Sequence, residues 1–150
     1  MWKLKTQKNI ILVIFSLISL NSCFGLWDSD SDEILGNYII GWIDLEETRS
    51  ISERVEKNSS GSVGLIPEYV FAVGNDKKYI IAKQHPTSGF ENGFEINTSI
   101  TNYFIIDASK SALYNQENVF GPLNKNEFDS LRKKWNIEKI EFDKNYPEKL

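Results

Sequence analysis

The chain contains a single cysteine, Cys23, and this limits what it can fold into. Secreted domains of this size are often stabilised by disulfides, but none can form within a chain that has one thiol. If residues 1–22 are removed, 128 of the 150 residues remain. A chain of that length can bury about two thirds of its unfolded surface. The sequence therefore predicts one domain that is stabilised by an apolar core.

Cys23 lies directly after an apolar segment near the N-terminus. Three lysines within the first eight residues precede the apolar run at residues 10–20, and Asn21 and Ser22 lead into the cysteine. A charged region, an apolar region and a small residue before the cut are typical of a secretory signal. With cysteine as the first mature residue, the segment resembles a bacterial lipoprotein signal. In such signals the sulfur receives a diacylglycerol and the preceding peptide is removed.

Two other interpretations of this segment stay open, a plain signal peptide and a transmembrane anchor. A spanning helix needs about 20 mostly apolar residues, and this run is shorter. Leu20 and Ser22 stand where a lipobox has its third and first residues before the cysteine. We therefore predict a signal peptide over residues 1–22 and a lipid with palmitate-type chains on Cys23. No cofactor other than this lipid is predicted. The predicted location is the cell envelope, membrane-anchored and facing the periplasm or the exterior.

The charge of the processed chain limits its partners. Residues 1–22 carry three of the 17 basic and none of the 21 acidic side chains, so the remainder has a net charge of −7. An acidic protein repels phosphate backbones, which argues against nucleic acid as a partner. It is not attracted to anionic membranes either, so attachment would come from the lipid, at about 0.8 kcal/mol per buried methylene. The predicted partners are the membrane, through the anchor, and an envelope protein or glycan.

Residues 23–33 are predicted to be the lipidated cysteine and an acidic tether. Residues 28–33 read DSDSDE, which is polar and lacks core-forming side chains, so a solvated spacer is expected. A calcium-binding loop starting at Asp28 would need Gly and Glu where the chain has Glu33 and Ile39. The globular domain is predicted over residues 34–150.

Several segments are rich in β-branched and aromatic residues and are bounded by Gly, Asn, Asp or Pro. Strands are predicted at residues 36–43, 69–74, 78–83 and 102–107, and the middle two form a hairpin around a short Asn-Asp-Lys turn. Residues 48–56 fit either a partner strand or a short helix, and residues 137–142 fit a weak last strand. Residues 89–98 are predicted to be a loop.

A helix is predicted near the C-terminus. Asn124 is a suitable N-cap, and Glu127 would complete a capping box with it. Phe128, Leu131 and Trp135 follow at helical spacing. The predicted fold class is α+β, mainly β, with an antiparallel meander of about four or five strands and one C-terminal helix over a face.

Three short blocks occur in a fixed order, YIIAKQ at residues 79–84, YFIID at 103–107 and FGPLNKNEF at 120–128. Together with the lipobox they resemble a family of small bacterial lipoproteins classed only as a domain of unknown function, over residues 10–137. The chain is longer than the family pattern between Asp107 and Phe120. The resemblance implies a location and supplies no activity, substrate or catalytic residue.

Candidate catalytic and metal-binding residues are few. The one histidine, His85, precedes Pro86 and is predicted to be a solvent-exposed structural residue. Without further His or Cys ligands the commonest zinc sites cannot be built, so no metal site is predicted. Asp107 ends a strand and is predicted to start a turn. Scattered carboxylates are predicted to be solvated surface residues, and no catalytic set is assigned: Asp44, Glu46, Glu47, Glu91, Glu95 and Asp107.

The aromatic side chains have two interpretations, core packing and a binding face. The residues proposed for a weak binding face are Trp42, Tyr79 and Tyr103, while Trp27 could lie at the lipid headgroups. The leading functional hypothesis is an envelope lipoprotein that binds or scaffolds without catalysis. The alternatives are an inhibitor or immunity-type protein against a toxin or wall hydrolase, and a carboxylate-based hydrolase.

Overall fold

The computed structural model describes residues 28–57, 59–87 and 95–146. Within them nine strands and one α-helix form three layers, a four-stranded sheet, a five-stranded sheet and the helix. The predicted signal peptide, Cys23, Trp27 and Glu91 lie outside the described residues, as does most of the predicted loop at residues 89–98.

The first sheet is an antiparallel meander in chain order. Its strands are β1 (Ser29–Leu35), β2 (Tyr38–Ile43), β3 (Ser50–Arg54) and β4 (Ser62–Ile66). A short 3-10 helix, Glu46–Thr48, connects β2 to β3. The segment that fitted either a strand or a helix is therefore mainly a strand, and it pairs with β2.

The second sheet has the order β8-β7-β6-β5-β9 and is also antiparallel. Its strands are β5 (Val70–Asn75), β6 (Tyr79–Gln84), β7 (Asn102–Asp107), β8 (Val119–Leu123) and β9 (Lys144–Asn145). The predicted hairpin is β5–β6. The Asp76 carboxylate accepts hydrogen bonds from the backbone N–H groups of Lys78 and Tyr79, both at 2.7 Å, which fixes the turn.

The helix α1 spans Lys125–Trp135 and begins with the predicted capping box. The Asn124 side chain accepts from the backbone N–H groups of Asn126 and Glu127, and Glu127 Oε2 accepts from the Asn124 N–H at 2.8 Å. Asn136 ends the helix in the left-handed conformation, with φ at 57°.

Both faces of the second sheet are buried. Alternate residues of β6 point to opposite sides, so Ile80 packs between the two sheets while Ile81 packs beneath α1. This explains why β6 and β7 read as continuous apolar runs. The core beneath the helix consists of Ile81, Ile105, Phe128, Ile137 and Ile140. The predicted fold class is confirmed, with antiparallel sheets, mainly β structure and one helix over a face.

Two segments differ from the expectation. Residues 29–33 were predicted to be part of a solvated tether, and their side chains are indeed exposed, but their backbone pairs with β2. An edge strand needs only backbone partners, so acidic side chains facing water do not prevent pairing. Residues 137–142 form no strand; the Ile140 N–H donates to the Ile137 carbonyl at 3.1 Å in a turn, and both isoleucines are buried beneath the helix.

The segment after residue 142 joins the two sheets instead. Residues 144–145 pair with β5 as β9, and the Tyr146 N–H donates to the Phe71 carbonyl at 2.9 Å. The Arg49 guanidinium, at the start of β3, lies 4.7 Å from the centroid of the Tyr146 ring. The last described residues therefore close one side of the sandwich.

A buried polar cluster closes one end. The Tyr38 hydroxyl donates to the Lys110 carbonyl at 2.5 Å, and the Asn118 amide donates to the Tyr38 oxygen at 3.2 Å. Glu53 on β3 accepts from the Ala112 N–H at 2.5 Å. These bonds attach the β7–β8 loop, residues 108–118, to the first sheet.

Because of Tyr38, the free energy of unfolding is predicted to depend on pH in the alkaline range. Burial, and next the negative charge of Glu53, raises the pKa of the Tyr38 phenol from 10.0 to about 12. The folded chain then keeps this proton at a pH where the unfolded chain has lost it. The contribution is complete below pH 10 and falls between pH 10 and 12, by at most about 1.4 kcal/mol per pH unit. Tyr38→Phe should cost about 1 kcal/mol at pH 8, with the difference from wild type shrinking above pH 10 and changing sign before pH 12. Urea denaturation of both proteins across this range measures it, and a difference independent of pH would contradict it.

Gly74 on β5 lies against the backbone of residues 141–142. A Cβ at this position would overlap the Glu141 carbonyl oxygen. Gly74→Ala should lower the free energy of unfolding by about 2–3 kcal/mol. Gly64→Ala on β4 is the matched control, because no atom lies within 4 Å of its added Cβ, and a change within about 0.5 kcal/mol is expected. Equal unfolding midpoints for the two variants in denaturant would refute the close approach.

Candidate functional site

The outer face of the first sheet carries an open hollow of about 580 Å³, which we call the trough. Whereas the second sheet is covered on both faces, the outward side chains of the first sheet are exposed or half-buried. The residues that line the trough are Ser29, Asp30, Ser31, Ile39, Gly41, Trp42, Ile43, Thr48, Ser50, Ser52, Arg54, Ser59, Ser60, Ser62 and Glu68.

The register of the strands forms the trough. Ser31, Gly41 and Ser50 stand opposite one another across β1, β2 and β3, so a row of small residues crosses the sheet. The outward residues on either side along β2 are Ile39 and Ile43, which are larger. Because outward side chains alternate along each strand, these two isoleucines stand on either side of the row of small residues, which forms the floor of the trough.

The floor stays open at Gly41 for a steric reason. A Cβ added to Gly41 would lie 2.9 Å from the Asp30 carbonyl oxygen and 3.0 Å from the Ser31 Cβ. The close approach of β1 therefore selects glycine at the centre of the trough.

Hydroxyl groups dominate the lining, from seven serines and Thr48. Each hydroxyl can both donate and accept a hydrogen bond. Thr48 uses its hydroxyl on the Leu45 carbonyl at 2.7 Å. Arg54 Nη2 reaches across the face to Ser31 Oγ at 3.3 Å. Side-chain hydrogen bonds are absent from Ser50 and Ser52 over the described ranges, so their hydroxyls can serve a ligand.

The chemistry that this lining supports is hydrogen bonding. A serine nucleophile needs an adjacent base, and the ionisable lining residues are Asp30, Arg54 and Glu68, each exposed or half-buried. A neutral polar ligand matches a surface with many hydroxyls and few charges.

The three aromatic residues proposed as a binding face are not brought together. Trp42 borders the trough, but it lies between the outward residues Gly41 and Ile43 and also borders a second recess with Arg49 and Tyr146. Tyr79 stacks on Trp135 with ring centroids 5.7 Å apart, and Tyr103 stacks on Phe128 at 4.8 Å. These two tyrosines therefore belong to the core beneath α1, on the far side of the second sheet. The sequence pattern correctly predicted that both tyrosines lie on strands, but it does not indicate which sheet each strand joins.

His85 is buried, so the prediction that it is solvent-exposed is wrong. Its ring is stacked on Phe71 with centroids 4.4 Å apart, and Nδ1 lies 2.8 Å from the Ile100 carbonyl oxygen. The His85 N–H donates to the Tyr69 carbonyl at 3.1 Å. This backbone bond holds the residue against the second sheet after β6 has ended.

The described carboxylates that were candidates from the sequence lie in turns, in the 3-10 helix or at the surface. Asp107 starts a turn as predicted, because its Oδ1 accepts from the Ser109 N–H at 3.1 Å. Asp44 is exposed, and Glu46 and Glu47 are in the 3-10 helix. Over residues 28–57, 59–87 and 95–146, no three His, Cys, Asp or Glu side chains are grouped so as to hold a metal ion.

Sequence reasoning missed the serines. Ser29 and Ser31 alternate along β1, and Ser50 and Ser52 alternate along β3. A period of two in hydroxyl residues is the signal that could have identified an outward hydroxyl face. Instead, the acidic residues that alternate with these serines, Asp28, Asp30 and Asp32, led to the prediction of a tether.

The comparisons with known proteins give one match. Residues 35–146 match a family model described as a protein of unknown function (DUF3997). The search of curated proteins found no match, and the search of solved structures found none either. In the part of the chain that the structure describes, no helix has the length and apolar character needed to cross a bilayer.

Proposed function

Because the chain belongs to DUF3997, a family of proteins of unknown function, we propose its function from its own surfaces. We propose a cell-envelope module, anchored by a lipid on Cys23, that binds a neutral glycan in the trough without catalysis. The observation that carries the proposal is the uncovered, hydroxyl-lined face of the first sheet.

The anchor rests on the sequence around Cys23. Residues 24–28 separate it from β1, and the six steps from Cys23 to Ser29 span at most about 20 Å. The first sheet would therefore stay close to the membrane surface. Such an anchor suits a protein that holds a ligand at the envelope.

A glycan matches the trough better than a peptide does. An extended peptide adds to a sheet through backbone hydrogen bonds at an edge strand. In the trough the backbone groups of β2 are already paired with β1 and β3, so only side chains can bind a ligand. Serine hydroxyls complement sugar hydroxyls, and Ile39 and Ile43 offer apolar contact to the C–H faces of a sugar ring.

The charge of the trough favours a neutral ligand. Among the described residues that line it, Arg54 is the one cation, and Asp30 and Glu68 lie in the same lining. An anionic polymer would need a basic surface, and this chain is acidic, with a net charge of −4 before processing.

Cys23→Ser tests the anchor. Without the thiol no diacylglycerol can be attached, so the variant should leave the membrane fraction or keep the mass of the unprocessed chain. Fractionation of cells and intact-mass spectrometry measure this. Ser130→Ala, an exposed position on α1, is the control and should fractionate like wild type. A Cys23→Ser protein with unchanged mature mass and membrane residence would refute the anchor.

The double variant Ser50→Ala, Ser52→Ala tests the trough. The full chain in mild detergent should bind neutral oligosaccharides on an array. Losing two hydrogen bonds at about 1 kcal/mol each should weaken binding by about 30-fold. Ser130→Ala is again the control, since its hydroxyl donates to the Asn126 carbonyl on α1, outside the trough.

Two results would contradict the trough proposal, an array with no bound glycan and a double variant that binds as wild type does. Crosslinking in intact cells should accompany the array. Capture of one basic protein, unaffected by the double variant, would favour the inhibitor hypothesis, because an acidic chain attracts basic partners.

A further inference from the structure

A second recess, the end cleft, opens where three connecting segments meet. They are the β1–β2 turn, the β5–β6 turn and the β7–β8 loop. The cleft has a volume of about 440 Å³ and lies at one end of the sandwich. Its lining includes Tyr38, Glu53, Lys77 and Lys110.

Glu53 is a buried carboxylate at this cleft, 3% exposed. Its Oε2 accepts from the Ala112 N–H at 2.5 Å, and the Tyr38 hydroxyl lies within hydrogen-bond reach of the same carboxylate, so both of its neighbours are neutral donors. No ion pair joins Glu53 to a cation among the described residues. Burying a carboxylate is costly unless a positive group or several donors compensate it. The position therefore suits a ligand that brings a cation.

Asn118 is a second buried polar group with unused capacity, also 3% exposed. Its Nδ2 donates to the Tyr38 hydroxyl oxygen and to the carbonyls of Asp107 and Lys110, at 3.0–3.2 Å. Its Oδ1 has no hydrogen-bond partner in the described parts of the chain. Asn118 is not among the residues that line the cleft, so it holds the β7–β8 loop and Tyr38 in place behind the cleft.

The mouth of the cleft has the opposite charge. Lys77 in the β5–β6 turn and Lys110 in the β7–β8 loop are both exposed. A site with a carboxylate at its base and two ammonium groups at its rim complements a ligand that carries both charges. With the negative charge at the base and the positive charges at the rim, a bound ligand would direct its ammonium group into the cleft and keep its carboxylate at the rim.

We propose that the end cleft binds a free amino acid, with its ammonium group on Glu53 and its carboxylate at Lys77 and Lys110. This site is separate from the trough, so the amino acid and the glycan would bind independently. The amino acid would also brace the β7–β8 loop against the first sheet, because Glu53 and Tyr38 already attach that loop.

The probes for this site are the free amino acids, titrated into the full chain by calorimetry. At least one should bind with Kd on the order of 100 μM. N-acetylation of that amino acid should weaken binding at least about tenfold by removing the charge that Glu53 pairs with. Its amide, which lacks the carboxylate, should bind wild type more weakly than the free acid does.

Variants assign the two halves of the site. Glu53→Gln keeps an acceptor for the Ala112 N–H but loses the charge, so binding should fall at least about tenfold. The double variant Lys77→Ala, Lys110→Ala, at two exposed positions, should weaken binding of the free acid and leave binding of the amide unchanged. The Ser50→Ala, Ser52→Ala protein should bind amino acids like wild type, which separates this site from the proposed function.

Three results would overturn the proposal. One is that no amino acid binds the folded wild type at about 10 mM. Another is equal binding of the free and N-acetylated forms. The third is that folded Glu53→Gln, or the lysine double variant, binds the free acid as wild type does. If Glu53→Gln fails to fold, the proposal is tested by comparing how the free, N-acetylated and amide forms bind to wild type and to the lysine double variant.

Discussion

The second sheet must be covered on both faces, and the rest of the fold follows from this requirement. Strands β6 and β7 direct Ile80 and Ile106 to one side and Ile81 and Ile105 to the other, all fully buried. A sheet that is apolar on both faces needs two covering layers. The first sheet supplies one layer. Helix α1 and the segment that follows it supply the other, so burial is achieved in three layers in a chain whose single cysteine rules out an internal disulfide.

The same arrangement explains where binding surfaces can occur. The first sheet covers its neighbour with one face and has the other available, and that face is lined with serine rather than with apolar residues. The β7–β8 loop at one end of the sandwich is held by buried polar groups as well as by Ala112 in the core, and Tyr38 and Glu53 there line a cleft. Polar residues thus line the trough and the end cleft, which the apolar layers leave uncovered.

The sequence predicted those elements that local chemistry determines. The β5–β6 turn depends on Asp76 and the start of α1 on Asn124, and in both cases the bonds join residues at most three positions apart. The residues that were misplaced depend on partners distant in the chain. His85 is buried because its ring lies on Phe71 and its Nδ1 lies near Ile100, and periodicity carries no information about such partners.

The candidate sites show the same contrast between what local sequence determines and what partners distant in the chain determine. The alternating serines of β1 and β3 were readable as a pattern, but their assembly into one trough depends on strand register across three strands. The end cleft could not have been predicted, because Glu53 meets a backbone N–H at residue 112 in a loop of the other sheet. Sequence reasoning therefore identified the elements and the fold class, and register and loop packing determined the sites.

The position of β9 has a consequence for the order in which the chain folds. Every other pairing in either sheet joins strands that are neighbours in the chain, so those hairpins need only contacts that are close in sequence. β9 pairs with β5, and the contact of Tyr146 with Arg49 spans almost the whole domain in sequence. A chain in which every hairpin has formed still lacks this long-range closure. We therefore expect the segment that ends at Tyr146 to dock last.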